Sequence, residues 1–216
     1  MDAPAADGRA ARSRATRARV AAAATRLFTA HGYSATSIQA VAREAGVATQ
    51  TVYYAFGTKP AVLKEALDQA VAGDAEPVAT LERPWVRAAL AAPDAHTQVR
   101  LQVEGTREVM ERVAPLAEVV RAAAGSVPEL AELWRTNTEQ RRTVQAVFAR
   151  ALAGRGVLRP GLEVAEAADT ALALLSPEVF TLFTVHSGWT AERWSLWARD
   201  AVLRQLTHLA DTPPGR

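Results

Sequence analysis

The sequence predicts an all-α protein built in two parts, and three observations carry that prediction. Helical periodicity of apolar residues dominates the chain after its first dozen residues, two short helical stretches meet at a single glycine near position 46, and GDAEPVATLER at 73–83 breaks the pattern with Gly and Pro. A domain boundary falls in that break. With 216 residues the chain is long enough for one large or two small domains with a proper core.

The elements follow in order. Residues 1–13 are Ala, Gly, Pro and Arg without periodicity and are expected to form a disordered basic arm. The first domain, 14–72, opens with a helix that sets Val20, Ala24, Leu27 and Phe28 on one face and ends at His31-Gly32-Tyr33. In TSIQAVAREAGVATQTVYYAFGTK, from Thr36 to Lys59, Thr36 is placed to N-cap a helix, with Gln39 three residues on completing a capping box. Ile38, Val41, Ala42 and Ala45 then make one buried stripe. Gly46 ends that helix, because glycine adopts the positive φ of a sharp turn at little cost. The next helix, about Thr49 to Tyr54, carries polar and aromatic residues where a core helix would carry Leu. Two short helices around a glycine turn, the second polar, make the shape of a helix-turn-helix DNA reader.

Past the break the sequence predicts a short helix near Trp85–Ala91, a long one from about Asp94 to Arg112, a short one near Pro115–Ala124 and a long one from about Pro128 to Ala153. The loop GRGVLRPG lacks the spacing of a phosphate cradle. From Leu162 to His186 a single helix is expected to be apolar on two sides and so buried on two sides, with Pro177 kinking it. A last helix, capped by Thr190, puts Trp194, Trp197, Ala198, Ala201 and Leu209 on one side and Leu196, Leu203 and Leu206 on another. Such a pair at the chain's end supplies half of a four-helix interface between two subunits, which points to a homodimer.

Composition excludes several functions. There is no Cys, so neither a disulfide framework nor a thiolate metal site is possible. The four histidines are scattered, no paired-His spacing, GxSxG, Walker A or GxGxxG run occurs, and no catalytic, metal or cofactor site is expected. No 18-residue apolar run for a membrane span is recognised, and the N-terminus lacks a signal-peptide core, so a cytoplasmic protein is expected. Charge is asymmetric: residues 8–64 hold nine Lys or Arg against Glu44 alone, whereas 65–216 hold sixteen against twenty acids. A basic head on a mildly acidic body suits a DNA-binding domain joined to something else.

On a DNA-reading helix, Thr49, Gln50 and Thr51 stand at the end that reaches base edges, Gln offering a bidentate pair to adenine and Thr a methyl to thymine. Tyr53 and Tyr54 suit phosphate oxygens through their hydroxyls, with rings packed against the domain. Lys59, and Thr36 with Ser37 at an exposed helix N-terminus, are expected to clamp the DNA backbone and fix register. Arg9, Arg12, Arg14, Arg17 and Arg19 are placed to follow phosphates or enter the minor groove as an arm.

In order and spacing, the helix with Val20 and Phe28, the His31-Gly32-Tyr33 ending, the glycine turn, Val52-Tyr53-Tyr54-Ala55-Phe56, Gly57-Thr58-Lys59 and the helix with Leu63 resemble the N-terminal domain of the TetR family of bacterial transcriptional regulators. The resemblance covers about residues 14–71. Ala48 stands where that family often has a capping Ser, and Ala55 where an aromatic usually precedes the Phe. The resemblance implies that Lys59 contacts the DNA backbone and that the dimer forms at the last two helices. It also implies that the helical body, 84–210, holds a cavity whose small-molecule ligand releases the operator. Residues of mixed character on its middle helices are candidates to line it: Arg107, Met110, Trp134, Asn137, Thr138, Arg141, Phe148, Phe180 and His186. The expectation is a homodimeric regulator, most often a repressor, on a palindromic double-stranded operator. The alternative is an all-α ligand carrier or enzyme whose head docks a protein.

Overall fold

The computed structural model describes residues 4–73 and 79–211, and among these it is all-α apart from one isolated antiparallel bridge between Leu158 and Thr207. The helices are α1 (Pro4–Ala35), α2 (Ile38–Glu44), α3 (Thr49–Phe56), α4 (Lys59–Ala72), α5 (Pro84–Leu90), α6 (Ala95–Ala124), α7 (Pro128–Gly154), α8 (Val164–Leu174), α9 (Pro177–Thr181) and α10 (Ala191–Leu206). Short 3-10 turns precede α5 and follow α10. Two compact units result. One holds the described residues before 74 together with Pro115–Trp134, and the other holds 79 to Ala114 and Arg135 to 211. Pro115–Trp134, expected in the helical body, groups with the residues before 74.

In the first unit α1 packs on α2 and α4, and Val20, Ala24 and Phe28 of α1, Val41 and Ala42 of α2 and Val62, Leu63 and Leu67 of α4 are all buried. The expected disordered arm is partly corrected: α1 already begins at Pro4, and residues 1–3 lie outside the described residues. Ala and Arg are among the best helix formers, and extending a helix that is already nucleated needs no new nucleus. At its other end α1 is kinked at Gly32, whose φ is 75°.

In the second unit a large core draws Val99, Val103 and Met110 from α6, Ala149 and Leu152 from α7, Ala167, Ala168 and Ala171 from α8, Phe180 from α9, and Trp194, Ala198, Val202 and Leu206 from α10. A smaller cluster joins Val86 and Ala89 of α5 to Phe148 of α7. Beside them runs a buried polar set, unanticipated in the pattern of residues. Gln102 Nε2 donates to Gln145 Oε1 at 2.7 Å, and Gln98 Nε2 to the Phe148 carbonyl at 3.1 Å.

Three helix boundaries differ from expectation. Pro115 lies inside α6 instead of opening a separate helix. It forfeits one hydrogen bond, yet Val113, Ala114, Leu116, Ala117 and Val120 are all buried around it and hold the rod through that loss. The expected single helix from 162 to 186 is broken at Leu175, and Pro177 begins a new helix where a kink was expected. Ser176 caps it by accepting from the Val179 N–H at 3.2 Å, and Pro177 occupies a first-turn position where its missing N–H costs nothing. A π-helical turn, Leu182–His186, follows. Contrary to expectation, Val164–His186 does match a membrane span in length and apolar composition, but that stretch is not one continuous helix.

Candidate nucleic-acid interface

The turn between α2 and α3 is built from the backbone outward. Gly46 sits at φ 64°, and the Val47 N–H reaches back to the Ala42 carbonyl at 3.0 Å, closing the C-terminus of α2 as a Schellman-type end. Ala48 occupies the N-cap position of α3 and provides no side-chain cap, so the family's capping hydroxyl is not replaced by Thr49. Val52 is fully buried and is the one buried residue of this helix. Of its other residues, Gln50 and Thr51 are exposed, Tyr53 is 45% exposed and Tyr54 is 95% exposed, while Thr49, Ala55 and Phe56 are half-buried. The expectation that both tyrosine rings pack on the domain is corrected for Tyr54, whose ring stands free on the surface.

The expected clamps divide. Ser37, not Thr36, caps α2, accepting from the Ala40 N–H at 3.1 Å while remaining exposed. Thr36 is buried and donates its hydroxyl to the carbonyls of Gly32 at 2.9 Å and Leu27 at 3.1 Å, so it closes the end of α1. Lys59 opens α4 beside the capping Thr58, with its Nζ 4.1 Å from the centroid of the Tyr33 ring and donating to the Ser34 carbonyl at 3.4 Å. Burial lowers its pKa below the usual lysine value. Tyr33 in turn stacks on Phe28, and burial first, then the Glu129 carboxylate, raise its phenol.

The arginines divide too. Arg12, Arg14 and Arg19 are exposed on α1. Arg17, expected among the phosphate contacts, is instead turned onto α3 and α4: Nη1 donates to the Ala55 carbonyl at 3.0 Å and Nη2 pairs with Glu65. Arg26 bridges to Glu44 at 2.9 Å and ties α1 to α2. Nothing in residue type distinguishes these two arginines from Arg12, Arg14 and Arg19. Only the fold places a carboxylate opposite each.

The candidate cavity residues are not gathered into one lining. Met110 and Phe180 sit in the large core, where Phe180 meets Trp194 edge-on at 4.9 Å between ring centroids. Phe148 stacks on Trp85 in the smaller cluster. Asn137, Thr138 and Arg141 form one polar turn of α7, the guanidinium donating to Asn137 Oδ1 at 3.1 Å and Thr138 Oγ1 at 3.2 Å, with burial lowering its pKa. Arg107 is held by Glu104 at 2.6 Å and Glu111 at 2.8 Å. His186 is exposed at the end of the π turn, and Trp134 falls in the first unit. Among the described residues, Gln102 Oε1 and Trp194 Nε1 are buried side-chain atoms without a hydrogen-bond partner. On the outside, Leu182, Val185 and Leu196 are 53%, 69% and 60% exposed, an apolar surface contributed by the π turn and α10.

Residues 20–66 match the family model of bacterial regulatory proteins of the TetR family. No curated protein matches the chain. Among solved structures, it is similar to a TetR-family transcriptional regulator of Mesorhizobium loti at 22% identity and a TM-score of 0.71, covering 91% of this chain and 98% of that one. It is similar to SmeT, described as the repressor of the Stenotrophomonas maltophilia multidrug efflux pump SmeDEF. In its complex with triclosan, SmeT shares 20% identity and a TM-score of 0.69 over 94% of this chain and 96% of its own. A third is NalD of Pseudomonas aeruginosa, described as the secondary repressor of the MexAB-OprM multidrug efflux pump, at 19% identity and a TM-score of 0.67 over 91% and 99%. At these identities the likeness establishes the fold.

Proposed function

Since the chain belongs to the TetR family of bacterial transcriptional regulators, we propose that it acts in the cytoplasm as a homodimeric repressor that places α3 in the major groove of a palindromic operator. One observation carries this reading: α3 buries Val52 alone and turns Gln50, Thr51, Tyr53 and Tyr54 to solvent. A free-standing tyrosine ring and an unshielded glutamine have no packing role there, whereas base edges, sugars and phosphates offer both of them partners. Ser37, Lys59 and Arg14 are then the backbone contacts. The two subunits join through the apolar surface of Leu182, Val185 and Leu196 and set the recognition helices about 34 to 36 Å apart on one side of the duplex.

The repressor is released by a small, largely apolar molecule, as the SmeT complex with triclosan suggests for a chain of this fold.

Mobility shifts on the chain's own promoter region test the reading. If six to ten phosphates are neutralised, affinity falls about 10³- to 10⁵-fold between 50 and 200 mM salt. Lys59→Ala weakens all sequences alike, and Gln50→Ala relaxes preference at one or two base pairs by about 1 to 3 kcal/mol. A flat salt response sinks the DNA-binding reading.

A further inference from the structure

Arg17 is a cation on the helix that leads into the head, yet its guanidinium is spent inside the domain. It lies 4.5 Å over the Phe56 ring, donates to the Ala55 carbonyl at 3.0 Å, and pairs with Glu65, whose second oxygen accepts from Gln69 Nε2 at 2.8 Å. Ala55 and Phe56 are the last two residues of α3, so one side chain of α1 grips the end of the recognition helix and pins it to α4. The grip meets a need of that helix. Val52 is the single fully buried residue of α3, with Thr49, Ala55 and Phe56 half-buried, so a contact at its end adds a second point that fixes its rotation and tilt. Among its final carbonyls, that of Tyr53 accepts from Gly57 N–H at 2.8 Å and that of Phe56 from Thr58 N–H at 2.9 Å. Arg17 takes the Ala55 carbonyl and sets a positive charge at the negative end of the helix dipole.

We propose that Arg17 is a positioning residue for sequence specificity: it fixes the orientation of α3 and touches no DNA, while Glu65 keeps its charge off the phosphates. This rests on the DNA-binding reading above. A shift of about 1 Å in α3 breaks bidentate base contacts long before it breaks phosphate contacts, so the loss falls on discrimination.

The test uses the full-length chain, a duplex that it enriches from a random-sequence pool, and a scrambled duplex of equal length. Arg17→Met keeps the stem over Phe56 and removes the grip. Affinity for the enriched duplex is expected to fall about tenfold or more per head, in line with hydrogen bonds made by charged groups. The scrambled duplex and the slope of log affinity against log salt stay as in the wild type. If both duplexes weaken equally and the slope drops by about 0.9 per head, Arg17 is a phosphate contact and the proposal is overturned. Glu65→Gln is a second, fold-preserving arm: affinity for scrambled DNA rises while the ratio of enriched to scrambled affinity falls. An equal rise on both duplexes overturns the proposal even if Arg17→Met does not fold. Should the wild type enrich no duplex, the DNA-binding reading itself fails and this assignment with it.

Discussion

Thr36 is 3% exposed and gives its hydroxyl to two carbonyls of α1, while its neighbour Ser37 does the capping of α2. The two hydroxyls are one residue apart, and a one-residue slip in the N-cap exchanges a buried role for an exposed one. Thr36→Val should therefore lower stability by about 1 kcal/mol, since it leaves the shape but removes an internal donor. A urea titration should show this, with the salt slope of DNA binding untouched. Ser37→Ala should cost about as much, through the lost cap, and also weaken DNA binding. A Thr36→Val protein of normal stability and reduced slope would place Thr36 on the DNA after all. Gly105 makes a similar point where no turn is involved. A Cβ there would lie 2.3 Å from Trp85 Cε3, so the ring of α5 rests directly on the backbone of α6. Gly105→Ala gains about 1 kcal/mol of helix propensity but overpacks by about 1 to 3 kcal/mol, and a net loss is expected. Trp85→Leu should relieve it, so that the double variant loses less than the sum of the two singles.

At the scale of elements, α6 and α10 are joined by a charged cluster. Arg107 holds Glu104 and Glu111 on its own helix and reaches Glu192 of α10 at 3.8 Å, while Ser195 of α10 donates to Glu104 at 3.3 Å. The Glu104 carboxyl is lowered mainly by its hydrogen bond from Arg107, and Glu192 mainly by its own backbone N–H and the Thr190 hydroxyl. Carboxyls with lowered folded pKa contribute stability that is fully present above their unfolded value, about 4.3 for Glu, and lost as pH falls through the lower folded value. Arg107→Met should thus flatten part of the acid limb of a stability profile below about pH 4.5, by a modest amount because both carboxylates are well solvated. An unchanged limb would mean that the cluster is ornamental. The α2-turn-α3 segment was legible because its signals are local: a glycine at positive φ, a four-residue apolar stripe, a helix without leucines. The continuity of α6 through Pro115 and the break between α8 and α9 were not, because proline is compatible with a kink, an interior position or a first turn. Which one occurs depends on Ser176 finding the Val179 N–H, or on the apolar contacts either side of Pro115. Likewise Arg17 reads as a DNA-backbone contact until the fold brings Glu65 opposite it.

At the scale of the whole molecule, the surface of Leu182, Val185 and Leu196 is the feature a lone subunit explains least. Three aliphatic side chains more than half exposed on neighbouring elements lose hydration cost only when another surface covers them, and a second copy of the same patch is the simplest cover for a closed twofold assembly. On the reading proposed above, operator binding then depends on the pairing. Once one head has docked, the second binds at an effective concentration set by the dimer, a gain of about 10²- to 10⁴-fold over a single head. Val185→Glu with Leu196→Glu should bury no charge within the subunit, since both sites are exposed, but should place like charges face to face in the interface. The expected result is a folded monomer by light scattering, with specific operator affinity reduced by about the factor above. The slope of log affinity against log salt should fall to about half, because only one head's phosphates are neutralised at a time. If the double variant stays dimeric, or if the wild type is already a monomer at micromolar concentration, this face does not join two subunits, and the twofold operator must be abandoned along with it.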